Sequence, residues 1–126
     1  LFIWESTGQD PEVTKYFRSI VRKKDELAEY NSFVRDRYFP SSQEALDLIQ
    51  QAGLTDIQEI HRGPFLYETQ KMRDCDFSGD SAKLQAWNDF IRKEVPVDVQ
   101  RKINMKDSGE SISMKFVKLI LKGAKP

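Results

Sequence analysis

Apolar positions in this chain follow two rhythms, one of three to four residues and one of two. Residues 1–4, LFIW, form an unbroken apolar run, the mark of a strand buried on both faces as in a parallel sheet. Asp10-Pro11 then opens a helix, with aspartate as cap and proline in the first turn. Its stripe is Val13, Tyr16, Phe17 and Ile20, and the spacing ends near Val21, before the basic cluster Arg22-Lys23-Lys24. Leu27, Tyr30, Phe33 and Val34 predict a second helix over residues 25–34, with an aromatic hinge at Tyr38-Phe39-Pro40.

The stretch 41–60, SSQEALDLIQQAGLTDIQEI, is the most legible unit. Ser41 and Glu44 have capping-box spacing, Ala45, Leu46, Leu48, Ile49 and Ala52 supply an inward face, and Gly53 is a helix stop followed by apolar Leu54. Alternation over 55–62 predicts a strand, Gly63-Pro64 a turn, and residues 65–72 a further extended stretch. Residues 73–81 read as a loop. Asp80 or Ser81 then caps a helix carrying Leu84, Trp87, Phe90 and Ile91, stopped or kinked by Pro96, with a short continuation after it. After a turn at 106–111, residues 112–121 define a terminal strand, two-sided where Val117 and Ile120 interrupt the alternation. This order gives an α/β fold, a layered sheet with helices, mixed in strand direction and with antiparallel edge strands.

At 126 residues the chain is one domain's worth. Its 20 basic and 20 acidic residues leave no overall field to steer a polyanion. The basic residues do gather after Arg92, but Lys115, Lys118 and Lys122 do not share one strand face, and no basic recognition helix follows Gly53. Nucleic acid is therefore an unfavoured partner. No apolar run is long enough for a membrane span, and no signal-peptide pattern is visible. With one cysteine, Cys75, there is no internal disulfide, and a reducing, cytoplasmic setting is expected. The opening on LFIW instead of methionine suggests a trimmed or partial chain.

Candidate chemistry is sparse. One histidine and one cysteine cannot assemble a zinc site. Asp74, Asp76 and Asp80 lack the closing glutamate of a calcium loop, and Cys75 has no activating neighbour beyond Arg73. His61 is the natural acid–base candidate, with Glu59 on the same strand face to orient it and Tyr67 brought near if the next strand folds back. Glu5, with Ser6 and Thr7, stands at the carboxyl end of the first strand, where open α/β sheets place ligands. Trp4 and Trp87 suit the core or a pocket wall. Glu5, His61, Tyr67 and Trp87 are thus the candidate substrate-binding residues.

LFIWE, SSQEALDLIQQAGLTDIQEI and MKFVKLILKGAKP together resemble the carboxyl-terminal half of a class I S-adenosylmethionine-dependent methyltransferase, through Ala52-Gly53-Leu54, the strand at 56–60 and the basic tail 122–126. The resemblance implies a Rossmann-like half domain with two antiparallel closing strands, and residues 65–106 as an insertion forming a substrate lid. It also implies S-adenosylmethionine as cofactor and a small-molecule substrate. The family's glycine-rich cofactor loop and its acidic residue are absent from this sequence, so the resemblance assigns the cofactor side to another segment. A partner chain or a domain swap would then cover an open sheet edge. The alternative expectation is a non-catalytic α/β interaction domain with a basic surface near its carboxyl end.

Overall fold

A computed structural model describes residues 2–7, 11–35 and 40–125, of which 2–7, Val34 and Arg35 are described by backbone alone. The Asp10 cap and the Tyr38-Phe39 hinge lie outside the described residues. Strand β1 (Phe2–Thr7) leads to helices α1 (Pro11–Leu27), α2 (Ser32–Arg35) and α3 (Ser42–Gln51). Strand β2 (Thr55–Glu68) follows, then a 3-10 turn (Thr69–Lys71) and helices α4 (Met72–Cys75), α5 (Ser81–Glu94) and α6 (Val97–Lys102). Strands β3 (Lys106–Asp107) and β4 (Ile112–Ala124) close the chain. The α/β class holds.

Strand β4 runs antiparallel between β1 and β2, in the order β1-β4-β2. The outer two strands are therefore parallel to each other but never adjacent, and the parallel pairing expected for residues 1–4 is replaced by antiparallel pairing to β4. Ser113 pairs with both Glu68 of β2 and Lys106 of β3, so β3 lies on the same side of β4 as β1, further along it.

Alternation along β4 splits the core in two. Ile112, Met114 and Phe116 face one way and join Val13, Phe17 and Ile20 of α1, Trp87 and Ile91 of α5, and Val99 and Ile103. Leu119 and Leu121 face the other way and pack under Ala45 and Ile49 of α3. Residues 77–103, within the expected lid insertion, thus supply much of the larger core. Trp87 is completely buried, and its Nε1 donates to the Ile20 carbonyl at 2.9 Å, so its one polar group is satisfied across the α1–α5 contact.

Helix α3 forms as its local signals dictate. Ser41 Oγ accepts from the Glu44 amide at 3.2 Å. At the other end the Gly53 amide reaches Gln50 O and the Leu54 amide reaches Ile49 O. This is the paired closure of a Schellman end, with Gly53 at φ +80°. Helix α1 corrects the predicted stop at Val21. Its buried stripe continues through Lys24, whose ammonium lies 3.5 Å from Asp25 Oδ1 and 3.6 Å from Asp76 Oδ1. Arg22 and Lys23 meanwhile face Glu26. The helix ends in a second Schellman closure, Glu29 N to Glu26 O and Tyr30 N to Asp25 O. Glu29 holds the left-handed position, at φ 60°.

The turn predicted at Gly63-Pro64 does not form. Both residues remain in β2, paired with Lys118 and Val117. Proline is tolerated because β2 pairs on one side only among the described residues, and an outward-facing position needs no amide hydrogen. The loop predicted at 73–81 begins within α4.

Glycine removes the steric cost of a left-handed residue, about 1–2 kcal/mol. The exposed Glu29–Lys83 pair, at 3.2 Å, is worth under about 1 kcal/mol. Glu29→Gly is therefore expected to raise stability by about 0.5–1 kcal/mol, read as a higher urea midpoint with unchanged slope. An unchanged or lower midpoint would show that Glu29 is not strained there.

Candidate functional site

The four candidate residues occupy two separate places, Glu5 and His61 on one row of the sheet and Tyr67 with Trp87 where the sheet meets α5. Glu5 and His61 are both paired with Ile120, from β1 and β2 respectively. They stand on either side of one β4 residue, two strand spacings or about 10 Å apart. His61 is exposed, and its ring lies over Gly63, with Nε2 3.2 Å from where a Cβ would be. The missing side chain lets the imidazole rest along the strand.

Glu59 does not orient His61. Glu59 pairs with Leu121 and His61 with Ile120, so Ile60 is an extra residue and the strand bulges between them. Leu121 and Ile120 point to opposite faces, and their partners do likewise. The bulge instead brings Glu59 to the face of Arg62, opposite Leu119. Arg62 Nε donates to Glu59 Oε1 at 2.7 Å, and this hydrogen bond holds the Glu59 carboxyl below its usual range.

Tyr67 does not approach His61 either. With β2 continuous, six residues separate them along the strand, about 20 Å. Tyr67 belongs to an aromatic cluster, edge-on to Phe17 at 6.1 Å, Trp87 at 6.0 Å and Phe116 at 6.1 Å. Half-buried, it forms the rim of that cluster, with fully buried Trp87 behind it. Cys75 is a free, exposed thiol. Among the described residues no group of three His, Cys, Asp or Glu side chains could hold a metal ion.

A further feature escaped the sequence reading. At the carboxyl end of β2 a cleft of about 300 Å³ opens between Glu68, Lys106, Asp107, Ser111 and Ser113. Its floor is the cross-strand row Glu68–Ser113–Lys106. One wall is the hairpin joining β3 to β4, which α5 fastens from behind. Arg92 Nε and Nη2 donate to the two Asp107 carboxylate oxygens at 2.5 and 2.9 Å, and Nη2 also reaches Gly109 O at 2.7 Å. Asn88, fully buried, donates from Nδ2 to Glu110 O at 2.9 Å. On the opposite side Thr69 Oγ1 accepts from the Ile112 amide at 2.9 Å. Only the register exposes this grouping, since its members are spread from residue 68 to 113 with no local motif.

No known family matches this chain by sequence, and no curated protein matches it. Solved structures do. A Bacillus halodurans protein provisionally assigned as a methyltransferase superposes with a TM-score of 0.74 at 15% identity, over 98% of this chain and 54% of its own. The YcgJ protein of Bacillus subtilis superposes with a TM-score of 0.71 at 10% identity, over 98% of this chain and 50% of its own. The chain has a methyltransferase-like fold and spans about half the length of the solved structures it matches. Among the described residues, no helix is long and apolar enough to cross a membrane.

The Asp107 carboxyl is lowered from 3.8 to about 2, first by the Arg92 hydrogen bonds and then by the Gly109 amide. A group with a lower pKa in the folded state adds stability above its unfolded value and loses it as the pH falls through the folded one. Arg92→Gln is expected to lower stability at neutral pH, with the gap to the parent narrowing between pH 3.8 and about 2. Denaturation midpoints across that range measure it; a gap of constant size would mean that Asp107 is not the group involved.

Proposed function

We propose that this chain is the substrate-side half of a methyltransferase-type domain that uses S-adenosylmethionine and acts on a small molecule. The observation that carries the reading is the extent of the match, which takes in almost all of this chain and only about half of each neighbour. The open outer edge of β1 supports it, since among the described residues that strand pairs with β4 alone.

Among the described residues there is no cradle for the cofactor. The described glycines with positive φ are Gly53 at a helix end, Gly79 in a loop and Gly109 in a hairpin, and none forms a phosphate-type or nucleotide cradle between strand and helix. In this reading the cofactor is held by a segment other than residues 1–126, which docks along β1. A partner chain, or an exchanged segment of a second copy, would meet the same edge. Glu5 and His61, on one sheet row, would face the substrate, and Tyr67 would line its approach with Trp87 fixing it from behind. Residues 65–106 would then serve both as core and as the cover of the substrate.

Calorimetric titration with S-adenosylmethionine tests the proposal, using this chain alone and the same chain joined to the polypeptide that extends its natural reading frame. The expected result is binding by the longer protein only, with His61→Ala lowering kcat/KM for methyl transfer about tenfold. Binding by neither protein would sink the enzyme reading and leave a non-catalytic α/β module.

A further inference from the structure

The polar groups around the cleft at the end of β2 are not balanced. Its two carboxylates are each already compensated: Asp107 by Arg92, and Glu68 by Lys71 at 3.2 Å. The Ser108 hydroxyl donates to Ser111 O and accepts from the Ser111 amide. What remains uncommitted among the described residues is a set of donors. The Lys106 ammonium has no ion pair or hydrogen bond, and Ser113 has no hydrogen-bond partner for its hydroxyl. Ser111 Oγ accepts from the Gln70 amide at 3.4 Å, which leaves its proton free to be given.

Lys115 adds to the imbalance. It lies two residues beyond Ser113 on the same face of β4, diagonal to Lys106, and it too has no ion pair among the described residues. Diagonal neighbours in a sheet are about 7–8 Å apart, close enough for two ammonium groups to disfavour each other and to converge on one anion. The hairpin that presents Lys106 and Ser111 is fastened by Arg92 and Asn88, so the backbone carrying these donors is fixed before any ligand arrives.

We propose that this cleft binds the oxyanion group of a small ligand, a phosphate or a carboxylate, with Lys106 supplying the charge and Ser111 and Ser113 the hydroxyl donors. This inference does not rest on methyl transfer and stands or falls separately from it.

The test is a titration of the isotope-labelled chain, followed through the backbone amides of residues 106–113. Inorganic phosphate and sodium acetate are added in separate arms, against sodium chloride at matched ionic strength. Saturable shifts at Lys106, Ser111 and Ser113 are expected in at least one of the two arms and not with chloride. Saturation by phosphate alone assigns a phosphoryl group, by acetate alone a carboxylate, and by both a general oxyanion site. Lys106→Gln is expected to weaken the response at least tenfold and Ser113→Ala several-fold, whereas Lys93→Gln, on the exposed side of α5, leaves it unchanged. Both cleft substitutions are at the surface, and unchanged thermal midpoints would show that they fold. Shifts that track ionic strength alone, or that persist in Lys106→Gln, would overturn the proposal.

Discussion

Everything in this fold depends on β4 being paired along both edges and packed on both faces. Among the described residues β1, β2 and β3 have no other strand partner. The two cores are set on its opposite faces by its alternation, Phe116 looking to α1 and α5 and Leu119 to α3. A strand so placed must be apolar on both sides, and the terminal sequence ISMKFVKLIL meets that demand with lysines at intervals. At the far end Gly123 lies against the α3 side, where a Cβ would meet Leu54 and Ile49 in ordinary van der Waals contact, at 3.4 and 3.5 Å.

Where a signal is local, the sequence declares it. Ser41 with Glu44, Gly53 with Leu54, and Asp80, whose carboxylate accepts from the Ala82 and Lys83 amides, each act within a few residues of where they stand. The two-sided character of β4 was legible for the same reason, whereas β2 read as two strands and β3 as part of a turn. Other features depended on partners distant in sequence. Lys24 extends α1 because Asp76 awaits its ammonium, which no helix periodicity reveals. Glu29 ends that helix in a position glycine usually holds, so the stop carried no mark. Gly63-Pro64 has every sign of a turn and yet runs straight, since β2 has β4 on one side and needs no donor on the other.

The same division explains the site. Residue types alone suggested that Glu59 would orient His61, an inference that assumes an unbroken period of two. One bulged residue, Ile60, reverses it: Glu59 goes to Arg62, and the row of His61 is shared with Glu5 from across the sheet. The cleft at the end of β2 was invisible for a related reason. Glu68, Lys106 and Ser113 become neighbours only through strand register, and whether each is committed or free depends on Lys71, Arg92 and the hairpin.

Pro64 has a consequence for how such a chain can associate. With no amide hydrogen in the middle of β2, that border offers a broken template, whereas β1 offers an intact one. Growth of the sheet is thus one-directional. If two copies meet, they do so border to border through β1, and the proline-bearing rims turn outward on both. Such a two-fold pair is closed along β1, and a third copy would have to add along the proline-bearing edge.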